Sequence, residues 1–224
     1  MMETLNGYTI KKYKTKQEIT YDEIKSAIIN CNLMPNSQLV IRTIASQMCF
    51  SEIPVREALK RLISENFIIE QNSNLVVAPI TKEYFIDIID LRLGLENIAI
   101  KISSRKMNKD KINILSEMLK QMKQYYNKKE LEKYDKLHRE FHLAICLMSD
   151  VATLNSALNE AFEHHERCKN FFKLKSWEAY PSYEAHENIF NALKEKQWDL
   201  AEKLLMENRV KAANRYKEEI VKFK

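Results

Sequence analysis

Apolar residues recur at steps of three and four along most of this chain, and the interruptions are few enough to mark boundaries. Ile19, Ile24, Ala27, Ile28 and Cys31 share one stripe and predict a first helix from Glu18 to Asn30. The segment Asn32 to Ser37 breaks it at Pro35. A short second helix is expected near Val40 to Met48, and a third from Ser51 to about Glu65, with Val55, Ala58, Leu59 and Leu62 on its inner face. Ser51 is a favourable N-cap, and Pro54 is tolerated in the first turn. The period then changes. Phe67 to Glu70 and Leu75 to Ala78 are short β-branched runs separated by Gln71-Asn72-Ser73-Asn74, where asparagine accepts the positive φ of a hairpin turn. Three helices followed by a hairpin is the order of a winged helix-turn-helix.

Pro79 ends the second strand and Thr81 caps a different kind of segment. Six helical patterns follow, near 81–105, 108–127, 130–148, 151–173, 178–196 and 198–222, joined by short connections that favour antiparallel neighbours. The expected fold is therefore mainly α: a winged helix-turn-helix with a small β-hairpin wing, then an all-α antiparallel bundle of about six helices. The expected organisation is a flexible arm over 1–16, a first domain over 17–80 and a helical domain over 81–224. The arm ends in Lys11, Lys12, Lys14 and Lys16, which suit either a solvated tail or contact with phosphates.

Composition sharpens this picture in three places. Two glycines and four prolines in 224 residues favour long helices over turn-rich β structure. Cys31, Cys49, Cys146 and Cys168 form no CxxC pair, which argues for free, mostly buried thiols rather than a zinc or disulfide framework. No apolar run is long enough for a membrane span, and the N-terminal stretch lacks a signal-peptide core, so a cytoplasmic location is expected. The net charge of +5 permits nucleic-acid binding without arguing for it.

The case for DNA comes from the third helix. Its inner face is apolar, while Glu52, Ile53, Arg56, Lys60 and Arg61 lie on other faces, and Arg42 precedes it on the second helix. A helix start projecting from a small trihelical core suits a major groove, though such modules also dock proteins. The stretch Leu39 to Leu62, with the block Pro54-Val55-Arg56-Glu57-Ala58-Leu59, resembles the winged-helix signature of the GntR family of bacterial regulators. Ile24, Ile28, Pro35 and Leu39 upstream fall in register with it. The resemblance implies DNA contacts from Arg42, Ser51, Glu52, Ile53, Arg56 and Lys60, with Arg42 and Arg56 foremost, and a local ion pair for Glu57. Two departures stand out. The family usually has arginine where this chain has Glu52, whose carboxylate repels phosphate but can accept from cytosine N4. The family's wing usually carries glycine at its tip, where this chain has Asn72-Ser73-Asn74.

A second set of polar residues sits on inward stripes of the helical region. His138 and His142 are four apart among Leu131, Tyr134, Phe141 and Ile145; His186 lies with Tyr183, Phe190 and Leu193; Asn208 lies with Ala201, Leu205 and Ala212. His186 and Asn208 are equidistant from a turn near Gln197, so an antiparallel hairpin brings them level. Such a set suits core imidazoles satisfied locally, ligands for zinc or another first-row metal, or direct binding of an organic anion. His164 and His165 are adjacent on a helix, point about 100° apart, and read as surface or edge residues. No nucleophile with a base and no phosphate loop is found, so an enzyme is not expected.

Thr81 to Ala212 resembles the FCD ligand-binding domain of the FadR subfamily, in its shorter VanR-like form, through Leu91-Arg92, Leu95-Glu96, Phe141-His142 and His186 with Ile189 and Ala192-Leu193. The resemblance implies a homodimer, a double-stranded DNA operator and a small carboxylate effector held with the help of a divalent metal. His142 and His186 match its metal ligands. His138 stands where the family often has aspartate and Asn208 where it often has histidine, so retention of the metal stays open. Arg92 is an expected carboxylate partner if it faces the cavity, and an ion-pair partner of a nearby acid otherwise. Two rival readings remain: a regulator for which the metal itself is the signal, and a helical metalloprotein whose N-terminal module docks another protein.

Overall fold

Thr15 opens the first helix, and does so by a capping box. Its hydroxyl oxygen accepts from the Glu18 N–H at 3.1 Å, and its own N–H donates to the Glu18 carboxylate at 2.7 Å. The helix therefore starts at Lys16, two residues before the Glu18 expected from the apolar stripe, because a cap is a polar signal that periodicity does not register. The computed structural model describes residues 3–5, 8–10, 13–174 and 183–223. They fall into two compact units, Met1–Ile80 and Thr81–Lys224.

In the first unit, β1 (Glu3–Leu5) and β2 (Tyr8–Ile10) pair antiparallel, Glu3 opposite Ile10. The arm expected over 1–16 thus contains a short hairpin. Lys11 and Lys12 lie outside the described residues. Lys14 pairs with Asp22 at 2.6 Å, and Lys16 is already helical, its ammonium 5.2 Å from the centre of the Phe50 ring. The trihelical core follows: α1 (Lys16–Ile29), α2 (Ile41–Met48) and α3 (Glu52–Ser64). Cys49, in the left-handed region at φ 55°, ends α2 and lets the chain turn sharply into α3. Ser51 holds the N-cap position, but its hydroxyl makes no capping hydrogen bond.

β4 (Ile68–Gln71) and β5 (Asn74–Val77) form the wing, and β3 (Gln38–Leu39) joins β5 on its other side to give the order β3-β5-β4. The two-residue β3 is too short to show alternation, which is why the sequence pattern does not predict it. Asn72 and Ser73 both take positive φ, 49° and 61°, the requirement of a two-residue type I′ turn. Ile24, Ile28, Val55, Leu59, Leu62, Phe67 and Val77 fill the core beneath. Glu65, at the end of α3, accepts from the Tyr21 hydroxyl at 2.6 Å and from Lys25 at 2.9 Å, tying α3 back to α1.

The second unit is all helix: α4 (Lys82–Arg105), α5 (Lys109–Asn127), α6 (Leu131–Leu147), α7 (Ala152–Phe171), α8 (Tyr183–Lys194) and α9 (Trp198–Lys222). Thr81 and Asn108 cap α4 and α5 through side-chain acceptors, at 3.0 and 2.9 Å. Residues 178–182, expected at the start of the fifth helix of this region, lie outside the described residues. Leu115, Met122, Tyr134, Phe141, Ile145, Leu158, Ile189, Leu193 and Leu205 make its core. Cys146 and Cys168 are buried, Cys31 is half-buried and Cys49 is exposed. Among the described residues no helix is long and apolar enough to cross a membrane.

Leu62 is wholly buried where α3 packs in the first unit. Leu62→Ala is expected to destabilise that unit by about 2–5 kcal/mol, read by chemical denaturation. The exposed Lys60→Ala on the same helix should change stability by no more than about 0.5 kcal/mol.

Candidate functional site

The inward stripe of α6 puts His138 and His142 on one face, and α8 brings His186 against them. All three are at least 99% buried. Their ring centroids lie 4.6–4.9 Å apart, and one nitrogen from each falls within 4.8 Å of the others. The Nε2 atoms of His142 and His186 are 2.8 Å apart. One of the two must donate and the other accept, so at least one ring is held in a defined tautomer. Tyr134 stacks on His138, closing the cluster from one side. Burial pushes His142 well below its usual 6.5, and the charges of Arg209, His138, His186 and Arg92 push the same way. A neutral imidazole is the form that binds a metal.

Next to the imidazoles lies a buried charge cluster that the sequence reading only partly foresaw. Glu96 of α4 is 1% exposed and accepts from two arginines. Its Oε1 takes Arg92 Nε and its Oε2 takes Arg209 Nε, both at 2.6 Å. Arg92 Nη1 lies 3.1 Å from His165 Nδ1. An arginine can only donate, so that nitrogen of His165 accepts and carries no proton. The Arg92 guanidinium also lies 3.8 Å from the centre of the Phe162 ring. Arg92, Glu96, His165, Arg209 and Tyr216 line a cavity of about 10 Å³, room for about one water. Arg92 is thus ion-paired with Glu96 and also lines the cavity.

Two expectations need correcting. His164 and His165 are not surface residues; each is 3% exposed. They do point apart, and α7 is covered on both sides, so each finds its own partner: Tyr84 for His164, at 2.9 Å, and Arg92 for His165. Burial, with Cys168 and Glu160 adding to it, raises the Tyr84 hydroxyl to about 12. On α9 the buried polar side chain is Arg209, while Asn208 is half-buried. The buried stripe runs Leu205, Arg209, Ala213 and Tyr216 in i,i+4 and i,i+3 steps. The sequence pattern does not single out Arg209, because side-chain type alone places a charged residue in solvent. The signal was present in the four-residue spacings of Arg92 with Glu96 and of Leu205 with Arg209.

In the first unit, Arg42, Ser51, Glu52, Ile53, Arg56 and Lys60 are all exposed. Ile53 is 72% exposed, unusual for an isoleucine whose helix buries Val55 and Leu59 completely. Glu52 and Arg56 pair at 2.8 Å across one turn, and Glu57 pairs with Lys60 at 2.8 Å.

Two predictions follow from the buried charges. Glu96→Gln leaves two buried guanidiniums without their shared anion and is expected to cost about 3–5 kcal/mol, read as a loss of thermal stability. For His142 the folded pKa lies below the unfolded one, so the unfolded chain binds the extra proton. Its contribution is complete above pH 6.5 and is lost as pH falls below that value. The apo protein's melting temperature should fall over that window, and His142→Gln should flatten the fall.

The sequence matches the FCD domain family over residues 87–208 and the family of bacterial regulatory proteins named gntR over residues 16–74. Over 123 residues, 54% of this chain, it is 29% identical to the HTH-type transcriptional regulator McbR of Escherichia coli (strain K12). Over 135 residues, 58% of the chain, it is 33% identical to the gluconate operon transcriptional repressor of Bacillus subtilis (strain 168). The chain spans little more than half the length of these two relatives, 56% and 55%. Among solved structures, that of E. coli McbR/YncC superposes with a TM-score of 0.70 at 21% identity, covering 92% of this chain and 99% of that one. That likeness shows a shared fold. With one profile over the helix-turn-helix and another over more than half of the chain, the protein belongs to the GntR family and carries a C-terminal FCD domain.

Proposed function

We propose that the chain is a ligand-responsive transcription regulator that binds double-stranded operator DNA as a homodimer, with a small carboxylate or related metabolite as effector. The observation that carries this reading is the exposed start of α3. Ile53 and Arg56 project from a core that is already complete without them, and neither has a packing role to explain it. Arg42 and Arg56 have the geometry to donate to guanine or to phosphate, Ser51 and Lys60 to reach backbone oxygens, and Ile53 to meet a thymine methyl. Glu52 neutralises Arg56 when DNA is absent. On DNA it is free to accept from cytosine N4.

In the helical domain, His138, His142 and His186 offer three neutral nitrogens to a divalent first-row metal such as zinc, and their spacing fits one ion. A bound metal would supply a positive centre for an anionic oxygen. Arg92 is the partner in reach of the adjoining cavity, and the half-buried Asn208 is the remaining candidate. The cavity as it stands holds about one water, so an effector must push its walls apart. That is the work through which ligand binding would shift the population of DNA-competent molecules. The metal as signal is a second reading, and it rests on the same three imidazoles.

Binding is tested by fluorescence anisotropy on duplexes selected from a random pool. Arg42→Ala and Arg56→Ala should each weaken binding by about 1–3 kcal/mol, with affinity falling steeply as salt rises. Affinity unchanged in both variants would favour a protein-docking module. For the helical domain, elemental analysis should find about one metal per chain, lost in His142→Ala and His186→Ala. No metal, with thermal stabilisation by a carboxylate alone, would assign direct anion binding instead.

A further inference from the structure

Helix α3 and its C-cap carry three acids, Glu52, Glu57 and Glu65. Glu65 ties the helix to α1 through Tyr21 and Lys25. Glu57 pairs with Lys60 further along the helix. Glu52 stands apart from both. It opens the first turn, beside Ile53, which is 72% exposed. A carboxylate there suits the helix dipole and the salt bridge to Arg56, but at an exposed site each effect is small. It is also the end of the helix where phosphates would approach, and they repel it.

In a major groove, the groups that reward a carboxylate are the exocyclic amines, adenine N6 and cytosine N4. Arg56 decides between them. Its guanidinium donates to two adjacent acceptors, which guanine supplies through O6 and N7. In a G·C pair those acceptors lie next to the cytosine amine, so the edge reads acceptor, acceptor, donor. An A·T edge reads acceptor, donor, acceptor, followed by the thymine methyl. The Arg56–Glu52 pair offers donor, donor, acceptor, which complements the first order and not the second.

The geometry keeps the two side chains together. Arg56 Nη2 and Glu52 Oε2 are 2.8 Å apart across one helical turn. That is less than the rise of about 3.4 Å between base pairs, so both tips reach the same pair. A carboxylate has lone pairs enough for Arg56 and a cytosine amine at once. The salt bridge therefore need not break when the helix enters the groove.

We infer that Glu52 and Arg56 act as one reading unit for a single G·C pair in each operator half-site, with Glu52 as the specificity-determining residue. It accepts from the cytosine amine and repels the acceptors that other base pairs turn toward it. This rests on the proposed DNA-binding role of α3 and is independent of metal or effector. Glu52 thereby lowers affinity for DNA in general and raises discrimination, so its removal should do the reverse.

Fluorescence anisotropy with the full chain tests it, on a duplex selected by the wild type from a random pool and then substituted one base pair at a time. One G·C pair per half-site should weaken wild-type binding about tenfold or more when replaced. Glu52→Ala should lose that preference, keep the others and bind unrelated DNA more tightly. Arg56→Ala should relax the same base pair. A cytosine analogue lacking the 4-amino group at that position should weaken the wild type and leave Glu52→Ala unchanged. If Glu52→Ala fails to fold, Glu52→Gln, whose amide donates as readily as it accepts, should relax the same pair. Equal weakening of all duplexes by Glu52→Ala would mark a structural part in α3 and overturn the inference, as would an unaltered preference. A wild type that binds no DNA from any pool overturns the reading of α3 itself, and this inference with it.

Discussion

The helical domain is organised around one carboxylate. Glu96 sits at 1% exposure with an arginine on each oxygen, one from its own helix and one from α9. Neither arginine is a surface residue that has folded inward; each is about 95% buried. Burial of that kind is tolerated only while the charges stay together, because the desolvation of each ion is offset by its partners alone. The arrangement fixes the positions of α4 and α9 relative to each other more narrowly than apolar packing would.

The two arginines also act on the neighbouring imidazoles. His142 feels Arg209 and Arg92 as well as its own burial, and all of them disfavour its protonated form. The cluster is thus held ready to donate lone pairs rather than protons. The tight hydrogen bond between His142 and His186 is what neutral imidazoles make when no cation takes both nitrogens. A metal would replace that bond with two ligand bonds and leave the surrounding charges where they are.

Much of this was legible in the sequence, and the failures have a common cause. Helix positions followed from periodicity to within a few residues, and the tight turn at Asn72-Ser73 followed from residues that accept positive φ. The inward positions of His138, His142 and His186 followed from the stripes on which they lie. The reading went wrong where polar residues are buried by pairing with one another. Arg209 is not singled out by the pattern, and the divergence of His164 and His165 suggests surface or edge positions for residues that are each 3% exposed. The partners that make such burial tolerable, Glu96 for Arg209 and Tyr84 and Arg92 for the two histidines, lie 73 to 113 positions away in the chain. No local window contains them. The two-residue β3 was invisible for a different reason, since its existence depends on β5 rather than on its own pattern.

Leu91 and Arg92 are consecutive residues of α4 that point about 100° apart, one exposed and the other in the charge cluster. The helix is about 10–12 Å across with its side chains, so the charge cluster and the exposed outer face are separated by a single helix diameter. A roll of α4 by about 20° carries a side chain at its rim through about 2 Å, comparable to the helix shifts by which subunit interfaces switch. Because Glu96 is clamped from two directions, α4 cannot make that roll while both arginines hold it. The clamp therefore ties the outer face of α4 to the buried charges through one rigid element, with no chain of intermediate contacts between them.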